Sequence, residues 1–477
     1  MRRYLSMILL AAAAAAAFSG CAVLRVGDAA RVSSGLTGHL VCSGTFISGQ
    51  DPDHVYAEAV RLQPGMGLVD WALRYRVDTA QRQVITTIAG GFESRAVYHD
   101  GLGCLVLQGD APDPGPLAYR PSTDMPALLP EIAGPAPVEP TDAAMRAALD
   151  AAFAEPASPQ RRNTHAVVVL RDGKVIAERY APGYGIDTPL HGMSMTKSMM
   201  HALIGVLVRD GKLEPDQPAP LPAWRGAEDA RRTITIDHLL RQTAGLDFAQ
   251  TNTGFDPTSR MTFVERDPAA FAAAARSSAA PGTRWDYTDG HFALLSRIVR
   301  DAVGGRPQDV LDFAQRELWG PLGMRHVTLE FDATGTPMGA GWMYASARDW
   351  ARFGQLYLND GVAGGRRILP EGWVRHAATP TLDTGYGAGF FTNAADGKVP
   401  AWGVPWGLPS APRDTFFARG YRGQFVIVIP SERMVIVRLG HAVFHPAVAE
   451  GNIDRVVHDV LAAVRAHPSL RCGLPLH

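Results

Sequence analysis

Two pairs of apolar runs stand out along the chain. Residues 165–170 and 175–180 flank a turn that contains Asp-Gly, and residues 424–429 and 434–439 flank another short polar segment. Runs of this length, rich in valine and isoleucine and separated by turn residues, predict two β-hairpins.

Helical patterns lie outside and between these hairpins. Residues 142–153 and 453–464 carry apolar positions at helical spacing, and the segment from about 191 to 380 is mostly helical in pattern. The strands therefore come from both ends of this region and the helices largely from its middle. The simplest assembly is one antiparallel sheet with helices packed on it and an inserted helical subdomain, which is an α+β fold.

The chain before this region has a different texture. Residues 38–110 predict a small β-rich N-terminal module. Its strand candidates are residues 72–77, 84–88 and 94–107. Residues 111–141 contain nine prolines and predict a stiff linker or an extended strap outside the core. Residues 142–470 are expected to form the main domain.

Residues 1–21 have the pattern of an export signal. Arg2 and Arg3 precede an apolar run that is too short to span a bilayer and that ends in small residues before Cys21. This pattern resembles a bacterial lipoprotein signal, in which the cysteine carries the lipid and attaches the protein to the periplasmic side of a membrane. Ordinary signal cleavage, which gives a soluble periplasmic or secreted protein, is the alternative.

Export permits disulfides, and three further cysteines remain. Cys42 and Cys104 bracket the β-rich module and are the predicted pair, which leaves Cys472 over. The cysteine spacings match no zinc motif, so no metal site is predicted. The net charge is −1, from 46 basic and 47 acidic residues, and no Gly-rich phosphate loop occurs. Neither a nucleic-acid partner nor a nucleotide cofactor is therefore expected.

The lysines direct attention to one short segment. Only four of the 46 basic residues are lysine, and Lys174, Lys212 and Lys398 each follow Asp-Gly, where a lysine is a solvated turn residue. Lys197 instead lies three residues after Ser194, at the start of an apolar helical stretch. At this spacing the two side chains share one face of a helix. A serine hydroxyl needs a base to become a nucleophile, and a lysine whose pKa is lowered by desolvation can be that base.

Residues 194–198 (SMTKS) resemble the active-site signature of the serine β-lactamase and penicillin-recognising superfamily. Within it, the chain is most similar to class C β-lactamase-related esterases and 6-aminohexanoate-dimer (nylon oligomer) hydrolases, over about residues 142–466. The other segments that match in order are residues 237–246, 281–289, 341–349 and 416–424. The resemblance implies a β-lactamase/transpeptidase-like fold and a serine acyl-enzyme that needs no cofactor.

The resemblance also assigns roles in the second motif of the family, Tyr-x-Asn, which reads Tyr287-Thr288-Asp289 here. It implies that Tyr287 relays a proton together with Lys197. Asp289 replaces the usual asparagine, and an ionised Asp289 would keep Lys197 charged and weaken it as a base. We therefore expect Asp289 to lie at the site without a defined role.

The third motif, Lys-Thr-Gly in many family members, matches Ala418, Arg419 and Gly420 here. In the family that lysine helps to hold a substrate carboxylate, so its loss argues against efficient β-lactamase or cell-wall peptidase activity. Gly420 lets two backbones approach closely. By resemblance, the oxyanion hole consists of the backbone N–H groups of Ser194 and Tyr421. Arg419 is expected as a neighbour of the site.

These observations predict an exported serine hydrolase that cleaves a small ester or amide through Ser194, with Lys197 and Tyr287 as proton carriers and His191 beside the pocket. Two alternatives stay open. One is β-lactamase or D-amino-acid peptidase activity of the same fold. The other is a non-enzymatic envelope lipoprotein that binds a ligand with a retired site.

Overall fold

The computed structural model describes residues 26–113, 119, 126–157, 161–226, 228–394, 407–443 and 452–466. The predicted signal segment, Cys21 and Cys472 lie outside these residues. Among the helices in the described ranges, none is long and apolar enough to cross a membrane.

Strands and helices alternate irregularly along the chain. The strands are β1 Leu73–Asp78, β2 Gln83–Ile88, β3 Gly91–His99, β4 Gly103–Gln108, β5 Thr164–Arg171, β6 Lys174–Tyr180, β7 Leu190–His191, β8 Val327–Leu329, β9 Met343–Ala345, β10 Val362–Ala363, β11 Arg366–Arg367, β12 Phe391–Thr392, β13 Phe416–Gly420, β14 Gln424–Ile429 and β15 Met434–Gly440. The α-helices are α1 Val26–Phe46, α2 Pro52–Val55, α3 Ala143–Phe153, α4 Met195–Arg209, α5 Ile236–Leu240, α6 Pro257–Phe263, α7 Pro268–Ala273, α8 Asp289–Val303, α9 Pro307–Ala314, α10 Gly320–Leu322, α11 Ala347–Leu358, α12 Trp373–Ala378 and α13 Ile453–Ala466.

The central sheet has six antiparallel strands in the order β12-β13-β14-β15-β5-β6. Both predicted hairpins are confirmed, because β5 pairs with β6 and β14 pairs with β15. In the first hairpin Asp172 and Gly173 have φ of 48° and 78°. Two successive positive φ angles match the right-handed twist of a tight hairpin, which is why Asp-Gly is favoured there. The sheet is built from both ends of the region, as the α+β prediction required.

Both faces of this sheet are buried. Val168 and Leu170 of β5 point into a core shared with α4 and α11, whereas Val167 and Val169 point into a second core shared with α3 and α13. Because successive residues of a strand face opposite sides, burial of both sides requires a continuous apolar run instead of an alternating one. The helices predicted at residues 142–153 and 453–464 are thus the two that cover one face.

The middle of the chain is less uniformly helical than predicted. It also contains a second antiparallel sheet in the order β7-β9-β8, in which Leu190 pairs with Ala345 and His191 with Tyr344. Strands of two or three residues are too short to produce a periodic pattern in the sequence. The sheet matters for the site because β7 ends three residues before Ser194.

The N-terminal module differs from its prediction in one element. Residues 38–46 were expected to begin a β-rich segment, but they are the end of helix α1, which packs on the four-stranded sheet β1-β2-β3-β4. Gly35 and Gly44 weaken the helical pattern in the sequence. Their missing side chains are needed, because a Cβ would lie 2.8 Å from the Phe263 carbonyl oxygen and 2.6 Å from a Val55 methyl group, respectively. The predicted strand at 94–107 is two strands, β3 and β4.

The disulfide between Cys42 and Cys104 is confirmed, with Cα atoms 6.2 Å apart. It joins α1 to β4 inside the module.

The proline-rich segment after the module packs against the main domain. It contributes Leu129 and Ile132 to the main core, and the backbone N–H of Leu128 donates to the Pro321 carbonyl oxygen at 2.7 Å. The described part of this segment is therefore a strap integrated into the core, not a spacer outside it.

One buried carboxylate joins the module to the main domain. Glu330, next to β8, is fully buried. Its Oε1 accepts hydrogen bonds from the Ser43 hydroxyl and from the Cys104 backbone N–H, each at 2.7 Å, and its Oε2 is 2.9 Å from His39 Nε2. The imidazole of His39 stacks on Trp342 with ring centres 3.7 Å apart. Because a buried carboxylate must be hydrogen-bonded, this contact fixes the module in one position.

Candidate active site

The turn between β7 and α4 presents Ser194. Met193 has a φ of 48°, a left-handed conformation that is unfavourable for a residue with a side chain. This reversal lets the chain enter α4 at once, so that Ser194 is the N-cap of the helix. The positive end of the helix dipole therefore lies beside the hydroxyl, where it favours developing negative charge.

Lys197 lies one helical turn further and is 1% exposed. Its Nζ donates to Ser194 Oγ at 3.1 Å, to Asp289 Oδ1 at 2.5 Å and to the Ala340 carbonyl oxygen at 2.6 Å. An ammonium group has three N–H donors and no acceptor. A charged Lys197 can donate to all three groups, whereas a neutral Lys197 can donate to Asp289 and Ala340 and accept the hydrogen of the Ser194 hydroxyl.

The surroundings of Lys197 favour this charge. Burial alone would lower the pKa of Lys197, but the negative charge of Asp289 and the hydroxyl of Tyr287 outweigh it and raise the pKa above the usual 10.5. The ring of Tyr287 also lies 5.0 Å from Nζ and that of Phe292 5.7 Å from it, where each attracts a cation. Desolvation alone would have lowered this pKa, but the ion pair with Asp289 acts in the opposite direction, which is the effect expected of an ionised Asp289 at this position.

Two glutamines hold the Tyr287–Asp289 segment in place. Gln242 Oε1 accepts from the Thr288 backbone N–H at 3.1 Å and is 2.6 Å from His291 Nδ1. Gln250 Oε1 accepts from the Asp289 backbone N–H at 2.7 Å. The sequence analysis did not assign either glutamine. Gln242 lies inside the matching segment 237–246, which was the only signal for it.

Two histidines close to the site are uncharged. Burial lowers the pKa of His291 to about 3, with a further contribution from the charge on Lys197. Burial also lowers the pKa of His191 to about 3, and its Nε2 donates to the Gly341 carbonyl oxygen at 2.7 Å. The predicted neighbour His191 thus lies behind the loop that carries Gly341 and does not line the catalytic cavity.

Strand β13 passes the start of α4 at Gly420. A Cβ at this position would lie 2.3 Å from the Gly192 carbonyl oxygen and 2.9 Å from Met193 Cβ, distances that no side chain tolerates. Glycine is therefore needed for the close approach of the two backbones. The next residue, Tyr421, lines the same cavity as Ser194. The structure brings together the two residues that the resemblance implies for the oxyanion hole.

The two arginines near this strand do not replace the missing lysine of the third motif. Arg419 is 7% exposed, and its guanidinium lies 5.5 Å from the ring centre of Phe391. Arg422 donates to the carbonyl oxygens of Ala442, His441 and Ala59 at 3.0–3.1 Å. Neither residue lines the catalytic cavity. The Ala59 contact joins the segment after Tyr421 to the N-terminal module.

The catalytic cavity has a volume of about 220 Å³. Ser194, Met193, Tyr421 and Asp289 line it together. About half of the other lining residues are apolar, and the rest are glycines and uncharged polar residues. Among the described residues that line it, Asp289 is the only charged one, and no lysine or arginine is present. A substrate carboxylate would therefore meet no lysine or arginine in the described part of the lining.

Comparison with known families decides the assignment. A family model described as Beta-lactamase matches residues 149–458, which is more than half of the chain. The chain belongs to the beta-lactamase family. A curated relative, the 6-aminohexanoate-dimer hydrolase of Paenarthrobacter ureafaciens, is 28% identical over 291 residues, covering 58% of this chain and 72% of that protein. The predicted family and its hydrolase relatives are thereby confirmed.

Solved structures agree on the fold. A penicillin-binding protein homologue from Caulobacter crescentus superposes with a TM-score of 0.52 at 18% identity, covering 70% of this chain and all (100%) of that one. A family VIII carboxylesterase gives a TM-score of 0.51 at 15% identity with the same coverage. The N-terminal module precedes the residues that the family model matches.

Proposed function

We propose that the protein is a serine hydrolase that cleaves neutral esters, and simple amides more slowly, through an acyl-enzyme on Ser194. The observation that carries the proposal is the contact between Ser194 Oγ and buried Lys197 Nζ at 3.1 Å, where Ser194 lines the catalytic cavity. A nucleophile and a proton acceptor within hydrogen-bond distance are the minimum for this chemistry.

The proposed reaction has two stages, acylation of Ser194 and hydrolysis of the acyl-enzyme. The neutral form of Lys197 takes the proton of Ser194 as Oγ bonds to the substrate carbonyl carbon. The oxygen that gains the negative charge accepts hydrogen bonds from the N–H groups of Ser194 and Tyr421, each of which contributes about 3–4 kcal/mol. The bond to the leaving group then breaks, and the leaving group takes a proton that Lys197 delivers through Tyr287. Water then attacks the acyl carbonyl carbon while neutral Lys197 takes its proton. The bond between that carbon and Ser194 Oγ breaks, Lys197 returns the proton to Oγ, and the carboxylic acid leaves.

The lining of the cavity supports neutral substrates. Substrates such as β-lactams and D-amino-acid peptides carry a carboxylate, and burying it without a cation costs free energy. The cavity has no lysine or arginine among its described residues, and Arg419 and Arg422 are engaged elsewhere. Amide cleavage is the second candidate, because a relative 28% identical to this chain is named a 6-aminohexanoate-dimer hydrolase.

Export and lipid attachment at Cys21 remain part of the proposal. The Cys42–Cys104 disulfide supports export, because disulfides persist mainly in oxidising compartments. The proposed location is the periplasmic side of a bacterial membrane, with no nucleic-acid partner.

Covalent labelling tests the reaction. A fluorophosphonate probe is expected to add one adduct per chain, and peptide mass spectrometry is expected to locate it on Ser194. Prior acylation by a p-nitrophenyl ester should slow the labelling. An adduct on another residue, or none under conditions where the protein is folded, would favour the non-enzymatic ligand-binding alternative.

The raised pKa of Lys197 predicts an alkaline profile. Since the amine must be neutral to accept the proton of Ser194, kcat/KM should rise with pH from 6 through 9. Removing the neighbouring charge with Asp289→Asn should lower the pKa of Lys197 and move this rise about 1–3 pH units lower. The rate at pH 7 should then increase about tenfold or more. A pH series of initial rates measures this.

The control for this prediction is Asp286→Asn in the same segment, whose carboxylate pairs with Arg284 instead of Lys197. It should leave the profile where it is. An Asp289→Asn profile identical to that of the unmodified protein would contradict the assigned role of Lys197.

A further inference from the structure

One wall of the catalytic cavity comes from outside the matched family region. Helix α1 contributes a stripe of residues spaced three or four apart, as expected for one helix face. These residues are Ala29, Val32, Ser33, Leu36 and Leu40. The Beta-lactamase model begins only at residue 149. The N-terminal module therefore completes a cavity that the catalytic domain alone leaves open on this side.

The walls facing α1 combine apolar residues with uncharged polar ones, of which Thr258, Ser259 and Thr262 direct their hydroxyl hydrogen bonds within the protein. Met66, Leu68 and Val69 line the cavity from the loop before β1, and Trp342 and Phe263 line it from the main domain. No charged group accompanies them apart from Asp289 beside Lys197. The shape and chemistry fit a hydrocarbon chain, because such a chain needs no hydrogen-bond partner.

The apolar lining continues to the surface of the protein. Leu68 is 79% exposed and Phe255 is 53% exposed, and both also line the cavity. Because both side chains belong to the lining and are exposed, the cavity that contains Ser194 opens to solvent beside two large apolar residues. A hydrocarbon chain of the substrate can enter between these apolar residues, and Asp289 is the one charged side chain that it meets in the described lining.

The volume of the cavity indicates the length of hydrocarbon chain that it can hold. An apolar cavity of about 150 Å³ accommodates benzene, which has six carbons, so about 220 Å³ corresponds to a chain of roughly eight carbons. We propose that the α1 stripe is a chain-length selector, which makes the enzyme prefer esters that carry one unbranched apolar chain of about six to eight carbons. This inference rests on the proposed esterase activity. Each methylene that the cavity buries should raise kcat/KM about fourfold.

The test uses two substrate series and Leu36, which is partly buried at the middle of the stripe. In p-nitrophenyl esters from acetate to dodecanoate the acyl chain varies. In alkyl acetates from ethyl to dodecyl the alcohol chain varies. The unmodified protein should show a maximum of kcat/KM near six to eight carbons in one of the two series, which identifies the side of the ester that the cavity holds.

Variants at Leu36 then probe the wall directly. Leu36→Trp reduces the space and should lower the ratio of kcat/KM for the octyl substrate to that for the two-carbon substrate at least tenfold. Leu36→Ala enlarges the space and should move the maximum two or more carbons longer. Leu382→Trp is the matched control, because Leu382 is 52% exposed and does not line the cavity. It should leave the ratio unchanged.

The outcomes separate this inference from the proposed function. If both Leu36 variants melt as the unmodified protein does but keep its chain-length profile in both series, α1 is not the selector and the inference is overturned. If no ester is turned over and no fluorophosphonate adduct forms, the esterase proposal itself fails. If Leu36→Trp does not fold, the test rests on Leu36→Ala. The chain length that gives the highest kcat/KM must then become longer for the inference to hold.

Discussion

A Lys197→Met variant is expected to lose about 10³–10⁴-fold in kcat for a short-chain ester. Methionine keeps an unbranched stem that fills the buried space but has no amine to accept a proton or to contact Ser194 Oγ. Lys197 is 1% exposed, so no water molecule from bulk solvent can easily replace its three hydrogen bonds. Steady-state rates and single-turnover acylation measure the loss.

Stability has to be separated from catalysis in this experiment. Removing one member of a buried ion pair leaves Asp289 uncompensated and destabilises a protein by about 3–5 kcal/mol. The double variant Lys197→Met/Asp289→Asn removes both charges and should recover most of that stability while remaining inactive. Lys212→Met is the matched control, because Lys212 is an exposed turn residue, and it should keep full activity. A Lys197→Met rate within tenfold of the unmodified protein would contradict the mechanism.

Ser194 and Lys197 should also act as one unit. Ser194→Ala alone, Lys197→Met alone and the two together are expected to show the same residual rate within about tenfold, since neither residue performs the reaction without the other. Additive losses would mean that Lys197 acts independently of Ser194, for example only in holding Asp289. The 3.1 Å contact between Oγ and Nζ predicts the non-additive result.

The parts of the fold and site that were predictable are those that leave a local pattern in the sequence. The paired apolar runs predicted the hairpins β5-β6 and β14-β15, and the spacing of Ser194 and Lys197 predicted their shared helix face. The resemblance added Tyr287 and the Gly420 strand. Each of these depends on residues that are close in sequence or on a short motif.

The parts that were not predictable come from contacts between distant segments. Lys197 donates to the carbonyl oxygen of Ala340, 143 residues away, and a backbone oxygen has no side-chain signature. The sequence left the direction of the Lys197 pKa shift open, because burial lowers the pKa and an ionised Asp289 raises it. Choosing between them required the distance between the two side chains. Helix α1 was missed because its glycines and serines obscure the helical pattern of a segment that packs on the sheet β1-β2-β3-β4 with one face and lines the cavity with another.

Glu330 connects the N-terminal module to the loop of residues 338–342, which contacts Lys197 in the active site. Its backbone N–H donates to the Trp342 carbonyl oxygen at 3.0 Å, and its carbonyl oxygen accepts from the Met338 N–H at 2.8 Å. The segment between those two residues carries Ala340, whose oxygen holds Lys197. The carboxylate of Glu330 meanwhile binds Ser43, Cys104 and His39 of the module.

A Glu330→Ala variant is therefore expected to lower the free energy of unfolding by about 3–5 kcal/mol, since it leaves three buried polar groups without their acceptor. It should also lower kcat/KM at least tenfold at a temperature where the variant is still folded, because the Ala340 loop and the α1 wall lose their common anchor. Urea unfolding and ester hydrolysis measure the two effects.

Two comparisons isolate the cause. Glu330→Gln keeps an acceptor for Ser43 and for the Cys104 N–H, so it should lose less than half as much stability as Glu330→Ala. Glu371→Ala removes an exposed glutamate and should change the free energy of unfolding by no more than about 0.5 kcal/mol. If Glu330→Ala cost less than about 1 kcal/mol and kept its activity, Glu330 would not anchor the module. Other contacts between the module and the main domain, such as those of Arg422 with Ala59 and of His165 with Glu58, would then hold the α1 wall. The larger loss is expected because Glu330 is fully buried and joins the module to the segment that carries Ala340.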